Sequence, residues 1–75
     1  MKISIEYCSV WNYLPKASSL EQHLKGKYDA KIELISSGGG VFEVTLEDKL
    51  IFSKKSLSRF PEHSEIDDLI NQSLV

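Results

Sequence analysis

Apolar and polar residues alternate from Lys2 to Tyr7, with Ile3 and Ile5 on one side and Ser4 and Glu6 on the other. A period of two is the signature of a strand with one buried face. Cys8 ends this run, and residues 9–13 read as a loop or as the first turn of the next element. From Leu14 to about Lys27 the period lengthens: Ala17, Leu20 and Leu24 recur at helical spacing, and Tyr28 extends the stripe. Pro15 suits a first helical turn, where its missing N–H costs nothing. Glu21 and Lys25 form a favourable i,i+4 pair, and Gly26 marks a stop. Alternation returns over Ala30–Ile35, where Ile32 and Leu34 oppose Lys31 and Glu33. A second strand reached through a helix is expected to run parallel to the first, by a right-handed crossover.

The small-residue run Ser36–Gly40 reads as a turn rather than a phosphate cradle, because strand residues follow it instead of Lys-Ser/Thr and a helix. Val41–Leu46 and Lys49–Ser53 are two short strands joined at Glu47-Asp48, a hairpin without the favoured Asn-Gly or Asp-Gly. Phe42, Val44 and Leu46 share one face, and Leu50 and Phe52 alternate with Ile51. After the basic stretch Lys54–Arg59 and Phe60-Pro61 comes a final helix. Ser64 is its expected N-cap, with Asp67 in a capping-box-like position, and Ile66, Leu69, Ile70 and Leu74 form its apolar stripe. The order is β-α-β-β-β-α: an α/β class, one domain over residues 1–75, with a four-stranded mixed sheet and two helices packed on it.

Composition narrows the function. The chain has 75 residues, 9 basic and 11 acidic, for a net charge of −2. That balance argues against a nucleic-acid partner, which demands a basic surface. The single cysteine forbids an internal disulfide, whereas secreted domains of this size usually carry several. A cytoplasmic protein is the expectation. The stretch MKISIEYCSV is too short and too charged for a signal peptide, and no apolar run approaches a membrane span.

The chemistry on offer centres on EYCSVWNY, residues 6–13. A cysteine that ends a strand and faces a helix N-terminus sits where the helix dipole favours a thiolate. The competing reading is a small buried hydrophobe. One thiol cannot resolve its own mixed disulfide, so its chemistry is limited to a mixed disulfide with glutathione or a partner protein, or to a sulfenic acid. Trp11 is either a large side chain covering the mouth of the sheet or an exposed anchor for a partner. Tyr7, Val10, Trp11 and Tyr13 make the loop apolar, and Phe60 and Pro61 are candidates to join it as a docking surface. His23 reads as solvated among Glu21, Gln22 and Lys25. With His63 and one cysteine it makes no recognisable metal set, and no cofactor is implied. Glu62, Glu65, Asp67 and Asp68 read as the acidic start of the last helix.

These segments together resemble the selenoprotein W family, also called Rdx. The residues that carry the likeness are Tyr7-Cys8 closing the first strand, Asn12-Tyr13-Leu14-Pro15-Lys16-Ala17 entering a helix, Gly39-Gly40-Val41-Phe42-Glu43-Val44, Leu50-Ile51-Phe52-Ser53-Lys54-Lys55, and Arg59-Phe60-Pro61. The resemblance implies a thioredoxin-like fold and a thiol redox function built on Cys-x-x-Sec or Cys-x-x-Cys. Cys8 matches the first redox position as the reactive thiol, and Trp11 occupies the second, where it cannot do that chemistry. The flanking Ser9, Val10, Asn12, Tyr13 and Phe60 would then form the binding surface, with glutathione or a thioredoxin-type protein as the partner. Trp11 has two possible origins: a natural loss of the second redox centre, or a UGA selenocysteine codon replaced by UGG or read as Trp. Thioredoxin-like enzymes commonly place a cis-proline before the third strand, and here Gly38–Gly40 fills that place. The second function that the residues support is a non-catalytic binding module docking through the Cys8–Tyr13 loop.

Overall fold

The computed structural model describes residues 1–74. The strands are β1 (Lys2–Cys8), β2 (Lys31–Ser37), β3 (Phe42–Leu46) and β4 (Lys49–Ser53), and the helices are α1 (Leu14–Lys27), α2 (Lys54–Leu57) and α3 (His63–Leu74). One mixed sheet has the order β2-β1-β3-β4. β1 pairs parallel with β2 and antiparallel with β3, and β3 pairs antiparallel with β4. The expected order is present, with a one-turn helix added.

The buried face is the one the alternation marks. Ile3 and Ile5 of β1 meet Phe42, Val44 and Leu46 of β3 and Phe52 of β4, under Ala17, Leu20 and Leu24 of α1 and Ile66 and Ile70 of α3. Both long helices thus cover the same face of the sheet. The other face carries Ser4, Glu6, Glu33, Ile35, Glu43 and Thr45, none of them fully buried. There Glu6 stands directly opposite Glu43. Glu43 Oε1 accepts from Ser53 Oγ at 2.7 Å, while its Oε2 is buried with no partner among the described residues.

α1 has the expected bounds, with Gly26 in its last turn and the Tyr28 N–H still reaching the Leu24 carbonyl at 2.8 Å. Three local expectations are corrected. Leu50 does not share the inner face with Phe52: the register jumps from Val44↔Phe52 to Thr45↔Leu50, a bulge that leaves Ile51 unmatched. Phe52 is 2% exposed and Leu50 is 55% exposed. The bulged strand turns the following side chains over, as an extra residue in a period of two must. The stretch Lys54–Leu57 is helical, started by Ser53 Oγ accepting the Ser56 N–H at 3.2 Å and closed by Ser58 in the left-handed region at φ 59°. Finally, α3 is capped two residues early. The Glu62 carbonyl accepts the Ile66 N–H at 3.2 Å, and Glu65 reaches back to the Glu62 N–H at 3.4 Å, so the N-cap is Glu62, with Glu65 supplying one half of a capping box, and not Ser64 with Asp67. Arg59 grips the same Glu65 with two hydrogen bonds of 2.7 Å, which holds that carboxyl below its ordinary value.

Asp67 and His23 are corrected with it. Asp67 is not an exposed helix-start charge but a buried carboxylate at the α1–α3 interface. It accepts from Lys27 Nζ at 2.9 Å and lies 2.9 Å and 3.1 Å from His23 Nε2, so His23 is paired and not free in solvent. Burial pushes the Asp67 carboxyl up, and the bonds from Lys27 and His23 more than offset it, leaving the group below its ordinary value. The His63 ring lies against His23, with centroids 4.8 Å apart.

Candidate functional site

β1 delivers Cys8 to the carboxyl end of a central strand, between β2 and the approach to β3. Its N–H donates to the Val41 carbonyl at 2.9 Å, and the Ser9 N–H donates to Ser37 at 3.0 Å. The chain then turns sharply. The Asn12 N–H reaches the Ser9 carbonyl at 3.1 Å and the Tyr13 N–H reaches the Cys8 carbonyl at 3.0 Å. Asn12 makes the turn in the left-handed region at φ 58°, which asparagine tolerates better than most residues. Leu14 and Pro15 then open α1.

This turn fixes the relation between positions 8 and 11. The Trp11 N–H donates to Cys8 Sγ at 3.4 Å. The thiol itself is covered, at 0% exposure, while Val10 and Trp11 are 81% and 61% exposed. Any reagent that reaches Sγ must therefore wait for the surrounding chain to open. Ser9 and Asn12 are exposed, and Tyr13 and Phe60 are half-buried.

The Trp11 indole does not stand free. A Cβ placed on Gly40 would lie 2.5 Å from Cζ3 and 2.9 Å from Cε3 of the Trp11 ring. The absence of that carbon is what lets the ring lie on the backbone of the glycine run. Gly40 also has φ 71°, where any other residue is strained. From Trp11 the aromatic contacts continue edge-to-face: to Tyr13 at 6.2 Å between centroids, from Tyr13 to Phe60 at 4.8 Å, and from Phe60 to Phe42 at 5.4 Å. Phe60 thus packs on Tyr13, at the end of the Cys8 loop, from far along the sequence. Pro61 lies further along and lines a groove of about 760 Å³ with Pro15, Lys16, Phe60 and His63.

The sequence reading missed the lysines. Lys16 Nζ sits 4.9 Å above the Phe60 ring, and Lys54 Nζ is 5.5 Å from Tyr13 and 5.4 Å from Phe60. The Lys54-Lys55 pair next to the family-like strand was the available signal, but only folding shows that it borders Trp11. Among the described residues no cluster of three or more His, Cys, Asp or Glu side chains is arranged to hold a metal. No helix among them is long and apolar enough to cross a membrane.

Comparison with known proteins bears on the family and the fold. The Rdx family profile matches residues 2–72. Chicken selenoprotein W is 30% identical over 60 residues, covering 75% of this chain and 71% of that protein. A crystal structure of a Bordetella parapertussis protein superimposes with a TM-score of 0.91 at 21% identity, covering 96% of this chain and 95% of that one. A selenoprotein W-related protein from Vibrio cholerae gives 0.89 at 23% identity, covering 99% and 96%. At these identities the two structures speak for the fold, which is thioredoxin-like, and the profile speaks for the family. The chain belongs to the Rdx family, a redox-related group of thioredoxin-like proteins.

Proposed function

We propose that this protein is a thiol redox protein acting through Cys8, with position 11 as the partner position of the redox pair. The observation that carries the reading is the Trp11 N–H directed at Cys8 Sγ at 3.4 Å, at the junction of β1 and α1. In that turn the backbone N–H of the residue three places on meets the sulfur, which supports pairing position 11 with Cys8. With Trp at position 11 the chemistry is that of one thiol. The Cys8 thiolate attacks a disulfide sulfur of glutathione disulfide or of a thioredoxin-type protein. A new S–S bond joins Cys8 to one half, and the other half leaves as a thiolate. A thiol from another molecule then attacks the mixed disulfide, releasing Cys8 reduced. Selenocysteine at position 11 would instead close a selenenylsulfide across the same turn. A cytoplasmic setting, where thiols are kept reduced, suits either form.

The test is incubation of the native protein with glutathione disulfide, followed by intact mass. One glutathionyl group on the parent and none on Cys8→Ser is the expected result. If Cys8 reacts only after denaturation, the thiol role fails. Intact mass of the protein from its source organism, grown with selenium, decides the occupant of position 11. Exposure of Val10 and Trp11 favours a second reading, a docking module with no catalysis. Equal partner recovery by Trp11→Ala and the parent in a pull-down would count against it.

A further inference from the structure

The positive charge of this chain is unevenly spent. Among the described residues Lys2, Lys25, Lys27 and Arg59 each lie in an ion pair with a carboxylate. Lys16, Lys31, Lys49, Lys54 and Lys55 do not, and three of these five, Lys16, Lys54 and Lys55, border the Cys8 loop or its aromatic neighbours. Lys54 and Lys55 belong to α2, whose ends are fixed by the Ser53 cap and the left-handed Ser58, so both are carried by an anchored turn. They flank a groove of about 410 Å³ whose other walls are Trp11, Gly39, Gly40, Val41 and Ser58. No carboxylate of the described residues lines it. Thus a chain of net charge −2 presents a cationic rim beside its redox position.

The floor of the groove is as informative as the rim. Gly39 offers bare, exposed backbone, where an added Cβ would meet nothing within 4 Å. Gly40 is buried under the Trp11 ring, and Trp11 itself is largely exposed. Bare backbone admits close approach of another main chain. An exposed indole favours an apolar side chain. The lysines favour carboxylates. Nucleic acid fits poorly, since tight phosphate binding uses roughly 6–10 contacts and this rim supplies few.

We infer that the groove between α2 and the surface formed by Trp11 and the glycine run receives an extended segment of a partner polypeptide that carries acidic side chains, with Lys54 and Lys55 contacting its carboxylates and Trp11 its apolar residue. The inference names the partner class of the site proposed above, and it rests on that placement of the site but not on Cys8 being reactive.

The probes are a short peptide alternating glutamate with valine, its lysine-for-glutamate counterpart, a single-stranded oligonucleotide, and vesicles containing phosphatidylserine. Binding is followed by amide NMR shifts and by emission of the single tryptophan, in the parent, in Cys8→Ser, in Lys54→Glu/Lys55→Glu, and in Lys31→Glu/Lys49→Glu as a charge control. The acidic peptide should bind the parent and Cys8→Ser alike, moving the amides of Trp11, Gly39 and Gly40. The α2 double variant, checked by circular dichroism, should bind about tenfold more weakly, as loss and reversal of two exposed pairs allow, and the control should bind as the parent does. Equal binding of the acidic and lysine peptides, shifts centred elsewhere, or tighter binding to oligonucleotide or vesicles each overturns the inference. A glutathionyl adduct on Cys8 without peptide binding would leave the thiol reading standing and remove this one.

Discussion

The seat of Trp11 on Gly40 is open to a direct test, because Gly39 supplies an internal control. Both glycines sit at nearly the same positive φ, 70° and 71°. Alanine at either position therefore bears a similar left-handed backbone cost, about 1–2 kcal/mol. Only at position 40 does the new methyl meet the indole, at 2.5 Å, and at 39 it meets nothing. The ring is 61% exposed, so roughly two-fifths of it is covered. For a tryptophan of up to about 250 Å² that is about 100 Å², or at most about 2.5 kcal/mol at 25 cal/mol per Å². Gly40→Ala should thus be less stable than Gly39→Ala by more than zero and by no more than that ceiling. A difference of about 1 kcal/mol lowers Tm by roughly 4–8 °C in a chain this short. Thermal unfolding followed by circular dichroism measures it. In the Trp11→Ala background the difference between the two glycine sites should vanish. The chain has one tryptophan, so its emission reports the same event, and Gly40→Ala should shift it to the red while Gly39→Ala does not. Equal stabilities with unchanged emission would refute the packing of the indole on Gly40.

Three further outcomes follow from the polar groups and the aromatic bridge. Because the folded chain holds Asp67 below its ordinary value, the unfolded state takes up that proton first; the stability this contributes is complete above about pH 4 and lost as pH falls through the folded value. Asp67→Asn should flatten that acid limb in denaturation measured across pH, and a parent-like limb would contradict the pairing with Lys27 and His23. Glu43→Gln should leave stability unchanged or raise it by about 0.2–1 kcal/mol in urea unfolding, since it removes a like charge directly opposite Glu6 and gives the orphan oxygen's position a donor; a clear loss would mean that the carboxylate is needed. Phe60→Ala should cost about 2 kcal/mol, below the range for a fully buried ring, and should move the Tyr13 ring resonances in NMR, because Phe60 lies edge-on to both Tyr13 and Phe42.

Much of the fold and the location of the site are legible in the sequence. The alternation around Ile3 and Ile5, and the helical stripe through Ala17, Leu20 and Leu24, report backbone periods that each residue obeys locally, whatever it later packs against. Cys8 could be placed at a strand end for the same reason: the alternation stops there and Pro15 starts a helix. Tertiary structure alone decided what those elements do to one another. The bulge at Ile51 turned Leu50 outward, and the Ser53 cap wound Lys54–Leu57 into a helix. Asp67, expected as part of the acidic start of α3, is buried between Lys27 and His23, 40 and 44 residues away in sequence. Cys8 is fully buried, and Trp11 rests on a glycine that no local pattern connects to it. Such partnerships join residues whose separation along the chain carries no period. They arise only when β1 is flanked by β2 and β3 and α1 meets α3, since burial and charge pairing are settled by distance in space and not along the sequence.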